Sequence, residues 1–206
     1  SLSLSERFLA SASNSTGSLW VWVTTIGDGS SGDGTAFIND NEPVLFAEAI
    51  LTVPSTPTAN ASDIPITANN FFVAVADPLA NSATGAVYIY TYDDTESTFL
   101  PKQVLTIQRA GPDWEFGCSI HATDHFLFVG ACGRGGGRGS VEIYSLVRGT
   151  VGIDVVVTLS GVSSDGRFGS AIAASDSALL VSTGSASTST SSPNSLYVYS
   201  CVDGVW

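Results

Sequence analysis

The sequence predicts an all-β protein, and three observations support this. Apolar residues make up 44% of the 206 residues, enough for a sizeable core, while charged residues make up only 13%. The apolar runs are short and rich in Val, Ile, Phe and Tyr, which is typical of strands. No window shows a sustained 3.6-residue periodicity, so we expect almost no helix. The length normally corresponds to one or two domains.

The stretch 116–144 shows the element pattern most clearly. It reads FGCSIHATDHFLFVGACGRGGGRGSVEIY and contains three apolar runs separated by two turn signals. Asp124-His125 is short enough for a tight hairpin, and the glycine-rich run 133–139 is a longer loop. This spacing predicts a meander of short antiparallel strands.

The same meander recurs along the chain. Segments that match Glu142-Ile143-Tyr144 end at Trp22, Tyr90 and Tyr199, so successive copies lie 68, 54 and 55 residues apart. A fourth strand is predicted before each Phe-Gly position. Each unit therefore holds four short strands in roughly 52 to 55 residues, which matches one blade of a β-propeller.

The predicted blade parts cover approximately residues 1–53, 62–107, 116–159 and 168–206 of a single partial propeller. The first part begins at its second strand and the last stops after its third, so we expect three, four, four and three strands. A ring of four such blades would be crowded. We expect about half of a propeller of six to eight blades, with residues 26–41 as a surface insertion.

The third unit resembles the FG-GAP repeat, the blade unit of integrin α-subunit propellers and of many microbial surface proteins. Phe116-Gly117 matches the Phe-Gly pair, and Gly130-Ala131-Cys132 matches the Gly-Ala-Pro with Cys in the place of Pro. The resemblance covers essentially the whole chain, well in the fourth unit and partially in the first two. Many blades of this family hold calcium in a long Asp-rich loop between strands one and two. The corresponding turns here, such as 123–125, are too short, so the resemblance implies the calcium-free subtype.

The three cysteines are Cys118, Cys132 and Cys201. A hairpin centred on His125 places Cys118 opposite Cys132, which allows a cross-strand disulfide. The alternative is two free buried thiols in adjacent strands. Cys201 is left over and either pairs outside the chain or stays free.

Two sequons, at Asn14 and Asn60, are candidate glycosylation sites, although such tripeptides also arise by chance in a Ser/Thr-rich chain. His121 and His125 lack further metal ligands nearby in sequence, so we interpret both as turn-exposed histidines. No metal or cofactor site is predicted.

Four charged residues are candidate partner contacts. Arg134 and Arg138 lie in the glycine-rich run, where they could grip an acidic glycan or a partner carboxylate. A phosphate-binding loop is not favoured there, because a strand follows instead of a helix. Asp28 and Asp33 lie in the 26–41 insertion and could bind a cation weakly.

The net charge of −12, with 7 basic against 19 acidic residues, argues against nucleic acid and anionic membranes as partners. No run approaches the ~20 apolar residues of a membrane span, and no signal peptide is recognisable. No Ser-His-Asp, Gly-x-Ser-x-Gly or His-Glu-x-x-His arrangement is present, and no catalytic residue is predicted.

These observations predict a non-catalytic extracellular or cell-surface propeller that acts as a structural, adhesive or assembly module. Its expected partners are other extracellular proteins or glycans, or further blades of its own or another chain. Contacts are expected through loops on one rim, namely 26–41, 133–139 and 185–194. The alternative is a carbohydrate-active propeller enzyme or lectin.

Overall fold

The computed structural model describes residues 64–93, 98–105, 113–147, 150–162, 166–184 and 195–206, and the four strands of the first sheet. Asp28, Asp33 and Asn60 lie outside these residues, as do the loops 26–41 and 185–194. Asn14 lies on a strand of the first sheet, one residue before the end of that strand, opposite Leu19.

The described residues form fifteen strands in four antiparallel sheets, which confirms the all-β prediction. The first sheet contains β1 (Leu2–Leu4), β2 (Phe8–Ser15), β3 (Ser18–Thr25) and β4 (Ala49–Thr52). The second contains β5 (Ile66–Ala68), β6 (Phe72–Asp77), β7 (Ala86–Asp93) and β8 (Thr98–Leu105). The third contains β9 (Phe116–Ala122), β10 (Phe126–Ala131), β11 (Ser140–Val147) and β12 (Thr150–Ser160), and the fourth contains β13 (Ala171–Ala174), β14 (Ala178–Ser182) and β15 (Leu196–Ser200).

Each sheet is a meander in which neighbouring strands follow one another in sequence. The second, third and fourth sheets have the predicted four, four and three strands. The first sheet has four strands where three were expected, because Leu2–Leu4 pairs with β2. This strand is only three residues long and carries no Phe-Gly pair, so the repeat pattern did not reveal it.

The strand pairing also corrects the alignment of the first unit. The second and third strands of the first three sheets share one register, marked by the pairs Phe8–Thr25, Phe72–Thr91 and Phe126–Ser145. Thr24, rather than Trp22, is therefore the counterpart of Tyr90 and Tyr144. The alignment of the repeats relied on aromatic residues, and the first sheet has none at this position, so the first unit was aligned incorrectly.

The four sheets lie side by side in chain order, and their first strands are neighbours: β1 contacts β5, β5 contacts β9, and β9 contacts β13. Among the described residues they form a row that does not close into a ring. The second and third sheets each bury one face, which we call the forward face, against the back face of the sheet that follows.

The faces are built from equivalent positions. The forward face of the second sheet includes Phe72, Ala74, Ala76, Val87 and Ile89, and that of the third includes Phe126, Phe128, Val141 and Ile143. The covering back face in the third sheet includes Phe116, Ile120, Leu127, Val129 and Tyr144, and in the fourth sheet Phe168, Ile172, Leu179, Val181 and Tyr199. Burial of each large side chain contributes roughly 1.5–3 kcal/mol, so these interfaces form the core.

The Phe-Gly strands join one sheet to the next by a repeated backbone junction. Glu115 N donates to Ala83 O at 2.8 Å and Phe116 N to Thr84 O at 3.0 Å. One unit later, Arg167 N donates to Gly137 O at 2.8 Å and Phe168 N to Arg138 O at 3.1 Å. The acceptors lie in the loops 79–85 and 133–139, which join the second and third strands of the preceding sheets.

The glycine of each Phe-Gly pair is required by this junction. Gly117 and Gly169 both have φ +90°, which side chains disfavour. A Cβ on Gly117 would lie 2.7 Å from Ala76 Cβ, and one on Gly169 would lie 2.7 Å from Ser140 O. The pair therefore combines a buried aromatic anchor with a close approach of two backbones.

Two short turns, α1 (Ala80–Ala83) and α2 (Arg134–Gly137), lie within these loops. Both adopt left-handed backbone angles, with φ 53° and 61° at Asn81 and Ser82, and 65° and 72° at Gly135 and Gly136. The glycines of 133–139 therefore supply a left-handed turn. The strand predicted to follow them is β11.

Candidate interaction surface

The loops lie at two opposite ends of the sheets, because an antiparallel meander alternates its connections. One end carries the turns between first and second strands, and we call it the turn end. The other carries the loops 79–85 and 133–139, and we call it the loop end. The loop 133–139 connects β10 and β11 at the loop end. The loops 26–41 and 185–194, with which it was predicted to share a rim, lie outside the described residues.

At the turn end, polar side chains link successive sheets. Asn69 Nδ2 donates to Thr123 O at 2.8 Å, and Asn70 Nδ2 donates to Asp124 Oδ2 at 3.1 Å. His125 Nδ1 lies 2.9 Å from Asp176 Oδ2 in the next sheet. Asn70, Asp124 and Asp176 occupy equivalent turn positions, so the turns form a chain of contacts across three sheets.

The pKa of Asp176 reflects these contacts. Partial burial alone would raise it, but hydrogen bonds with Thr123 and His125 outweigh burial and hold the pKa below its usual value. The partners are largely exposed, with 68% of the His125 side chain in solvent, so the pair contributes little to stability.

The two histidines do not form a metal pair. His125 is exposed at the turn, as predicted, but the prediction for His121 is wrong because it lies on β9 and is partly buried. Its Nε2 donates to Ala174 O of the next sheet at 2.9 Å. Among the described residues, no group of three or more His, Cys, Asp or Glu side chains could hold a metal ion.

His121 makes stability depend on pH. Burial lowers its pKa, and the hydrogen bond to Ala174 offsets this only in part. A histidine whose folded pKa lies below the unfolded value of 6.5 is fully stabilising above that value and loses its contribution as pH falls. We expect the melting temperature to drop between pH 7.5 and 5.5 and the drop to be smaller in His121→Asn. An equal drop in both proteins would contradict this role; His125→Asn serves as the exposed control.

Calcium is not expected to stabilise the described turns. Thr123 N donates to Phe126 O at 2.9 Å, which closes a turn with only Asp124 and His125 between them. Such a turn cannot wrap an ion that takes six to eight oxygen ligands. We expect the same melting temperature after chelation and after calcium is restored. A large drop on chelation would contradict the argument.

At the loop end, Arg134 is partly buried and paired within the protein. Its Nη1 donates to Glu142 Oε1 at 2.9 Å, and its guanidinium lies 4.7 Å from the ring centroid of Trp114. Tyr144 donates its hydroxyl to Glu142 Oε2 at 2.8 Å. Glu142 is only 5% exposed, so both of its carboxylate oxygens are paired out of water.

Burial and then the adjacent Glu142 carboxylate strongly raise the pKa of Tyr144, so its phenol stays a proton donor at neutral pH. Glu142 and Trp114 were not predicted as members of this cluster. One signal was present: Glu142 stands where Tyr88 and Tyr197 stand in the neighbouring units. A carboxylate buried in an apolar strand is costly unless a cation pairs with it, so Glu142 predicts a basic partner nearby.

Of the two arginines predicted as partner contacts, the structure leaves Arg138 exposed and engages Arg134 internally. A second ion pair, Arg167 with Glu115, links the positions just before the two Phe-Gly pairs. Its partners are about one quarter exposed. The Arg167–Glu115 pair therefore ties the third and fourth sheets together, whereas the Arg134–Glu142 pair lies within the third sheet. Arg138 presents the accessible cation of this loop.

Cys118 and Cys132 come together as a disulfide pair with their Cα atoms 6.2 Å apart. The expected register was wrong by one residue, because the hairpin turns between Asp124 and His125 and pairs Val129 with Ile120. An irregularity between Val129 and Ala131 then shifts the pairing and brings Cys132 towards Cys118. Cys201 is free and partly buried.

The disulfide can be tested directly. We expect non-reducing mass spectrometry to find a Cys118–Cys132 cross-linked peptide. Replacing both cysteines by serine should destabilise the protein by about 2 kcal/mol, because a cross-link over a loop of this length restricts the unfolded chain. Cys201→Ser is the matched control and should change stability little. Free thiols at positions 118 and 132 in the native protein would contradict the pairing.

No helix among the described residues is long and apolar enough to cross a membrane. Some of the described polar side chains contact the neighbouring sheet, as His121 and Glu115 do, while Glu142 is paired within its own sheet. No protein-family model and no curated protein matches the chain.

Proposed function

We propose that the chain is a non-catalytic, extracellular assembly or adhesion module of the FG-GAP propeller type, which contacts proteins or glycans through loops at the ends of its sheets. The observation that carries the proposal is that side chains capable of chemistry are used to join one sheet to the next. His121 reaches Ala174, Glu115 pairs with Arg167, and Asn70 bonds Asp124.

The repeated junction supports the propeller part of the proposal. Two successive Phe-Gly strands dock on two successive left-handed loops by equivalent hydrogen bonds. A constant geometry between neighbours is what a ring of blades around an axis requires. A ring of six to eight blades remains our expectation for the assembled protein.

Location and calcium independence follow from the same proposal. A Cys118–Cys132 disulfide persists in oxidising compartments, and the sequons at Asn14 and Asn60 are used only on the secretory route. The short turns fit the calcium-free subtype of the family.

Arg138 is the side chain at the loop end that best fits a partner. It is exposed, lies in a loop whose left-handed backbone is set by glycines, and has its own carbonyl fixed by Phe168 N at 3.1 Å. A guanidinium carried on this fixed backbone suits a carboxylate of an acidic glycan or protein. The excess of acidic residues elsewhere in the chain would keep non-specific anions away.

One observation favours the lectin alternative. Phe71 at the turn end is 40% exposed and stands next to Asn70, which bonds Asp124. An exposed aromatic ring beside amide and carboxylate groups is a surface on which a sugar ring can stack.

A glycan array combined with a hydrolysis assay separates these readings. We expect no turnover of any polysaccharide, and we expect binding of an acidic ligand to be lost in Arg138→Glu and kept in Asp203→Lys, a charge reversal in an exposed turn. Binding that instead depends on Phe71 would identify the lectin surface. Turnover of any polymer would overturn the non-catalytic proposal.

A further inference from the structure

The fourth sheet has one face that nothing in the described structure covers. On strand β15, the side chains of Leu196 and Val198 are 62% and 67% exposed. Ala171 and Ala173 of β13 are exposed on the same side, and Leu180 lies between the two strands, paired with both Ala173 and Val198. The other side of this sheet, with Leu179, Val181 and Tyr199, packs on the third sheet.

The uncovered side is the forward face of the fourth sheet. Strand pairing makes Leu180, Leu196 and Val198 the counterparts of Phe128, Val141 and Ile143 in the third sheet. Those three residues are completely buried by the fourth sheet together with Trp206, which follows β15. The second sheet shows the same arrangement, with Ala74, Val87 and Ile89 buried by the third sheet.

The small residue of the second strand, against which the Phe-Gly pair of the next sheet packs, also has a counterpart in the fourth sheet. In the second and third sheets it is occupied by Ala76 and Gly130, which lie against the Gly117 and Gly169 backbones of the following sheet. The fourth sheet has Ser182 at this position, which is still small enough for a close backbone approach. His121 on the forward face of the third sheet makes a polar contact with the fourth sheet. Its counterpart in the fourth sheet is Ala173, so this face is more apolar than that of the third sheet.

We propose that the forward face of the fourth sheet binds the first sheet of a second copy of this chain. The equivalent faces of the second and third sheets each bind another sheet. We therefore expect that the forward face of the fourth sheet also binds a sheet. Among the described residues, the first and fourth sheets stand at the two ends of the row, so a copy offers the back face of its first sheet as the next member.

The contact is head-to-tail, because a forward face meets a back face. Such an interface either closes into a ring or continues as a filament. Two copies would provide eight sheets, within the six to eight expected for a complete ring, so we expect a closed dimer. Ring closure rests on the proposed propeller, whereas the docking of the face rests on the repeated interface alone.

The test is sedimentation velocity of the chain from low to high micromolar concentration. We expect a concentration-dependent dimer, and we expect Val198→Asp and Ala173→Arg each to weaken it at least about tenfold, because each places a charge in an apolar interface. Val162→Asp is the matched control: Val162 is 84% exposed after β12, outside this face, and its substitution should leave dimerisation unchanged.

Three results would overturn the proposal: a monomer at every concentration, a dimer that survives both substitutions, or a dimer equally weakened by the control. Higher assemblies that grow with concentration would overturn ring closure and keep the docking face. Circular dichroism and melting of each variant confirm that the exposed substitutions leave the fold intact. These readouts do not depend on ligand binding or turnover, so their failure is distinguishable from failure of the proposed function.

Discussion

Replacement of Gly139 by Ala is expected to destabilise the protein by at least about 3 kcal/mol. Gly139 has φ +81°, and a Cβ there would overlap the backbone oxygen and nitrogen of Phe168. The substitution therefore strains the loop and also pushes the fourth sheet away from the third, where Phe168 is buried. Urea unfolding measured by tryptophan fluorescence gives the change in the free energy of unfolding.

The same loop offers a matched control. Gly136 has φ +72°, but a Cβ there meets nothing within 4 Å. Gly136→Ala should cost only about 1–2 kcal/mol, the penalty of a left-handed backbone with a side chain. Equal effects at the two positions would show that backbone conformation, rather than the approach of the next sheet, explains the glycines of this loop.

Replacement of Arg134 by Ala is expected to destabilise the protein by about 3 kcal/mol, because it leaves the Glu142 carboxylate buried without its cation. The stacking of the guanidinium on Trp114 is lost as well. Arg138→Ala removes an exposed arginine from the same loop and should change stability by less than about 0.5 kcal/mol. Denaturant unfolding of both variants checks this.

The sequence repeat suggests a second substitution that should restore stability to the Arg134→Ala variant. Glu142 stands where the second and fourth units have Tyr88 and Tyr197. Adding Glu142→Tyr to Arg134→Ala removes the unpaired carboxylate and should recover part of the lost stability. If Arg134→Ala alone is neutral, or if the double variant is no better, the buried charge is not what Arg134 compensates.

Much of the fold followed from local signals. Alternating short apolar runs and the Asp124-His125 turn predict antiparallel strands, and the structure confirms them. The glycine run 133–139 predicts the loop between β10 and β11. In the second unit, Asn81, Ser82 and Ala83 take positive φ where the third unit has Gly135, Gly136 and Gly137, and Gly85 is the one glycine of the loop 79–85. Docking of the next sheet against this loop holds a conformation that its residues do not prefer.

The candidate sites were less predictable. Arg134 and Arg138 look alike in sequence, but Arg134 is partly buried and pairs with Glu142 while Arg138 is exposed. Similarly, His121 and His125 are four residues apart, but only His125 lies at the turn. The third sheet itself brings Glu142 to Arg134, whereas the carbonyl that His121 contacts comes from the fourth sheet, some fifty residues further along the chain.

By itself the sequence determined the class of fold, the repeat and its Phe-Gly anchors, since strand period, turn residues and a glycine between two packed backbones are local requirements. Only the tertiary structure decided the short first strand, the register that joins Cys118 to Cys132, and the internal ion pairs. It also showed that, among the described residues, nothing covers one apolar face. These features depend on how strands and sheets pair, and the free energy of such contacts leaves no periodic trace in the segments that make them.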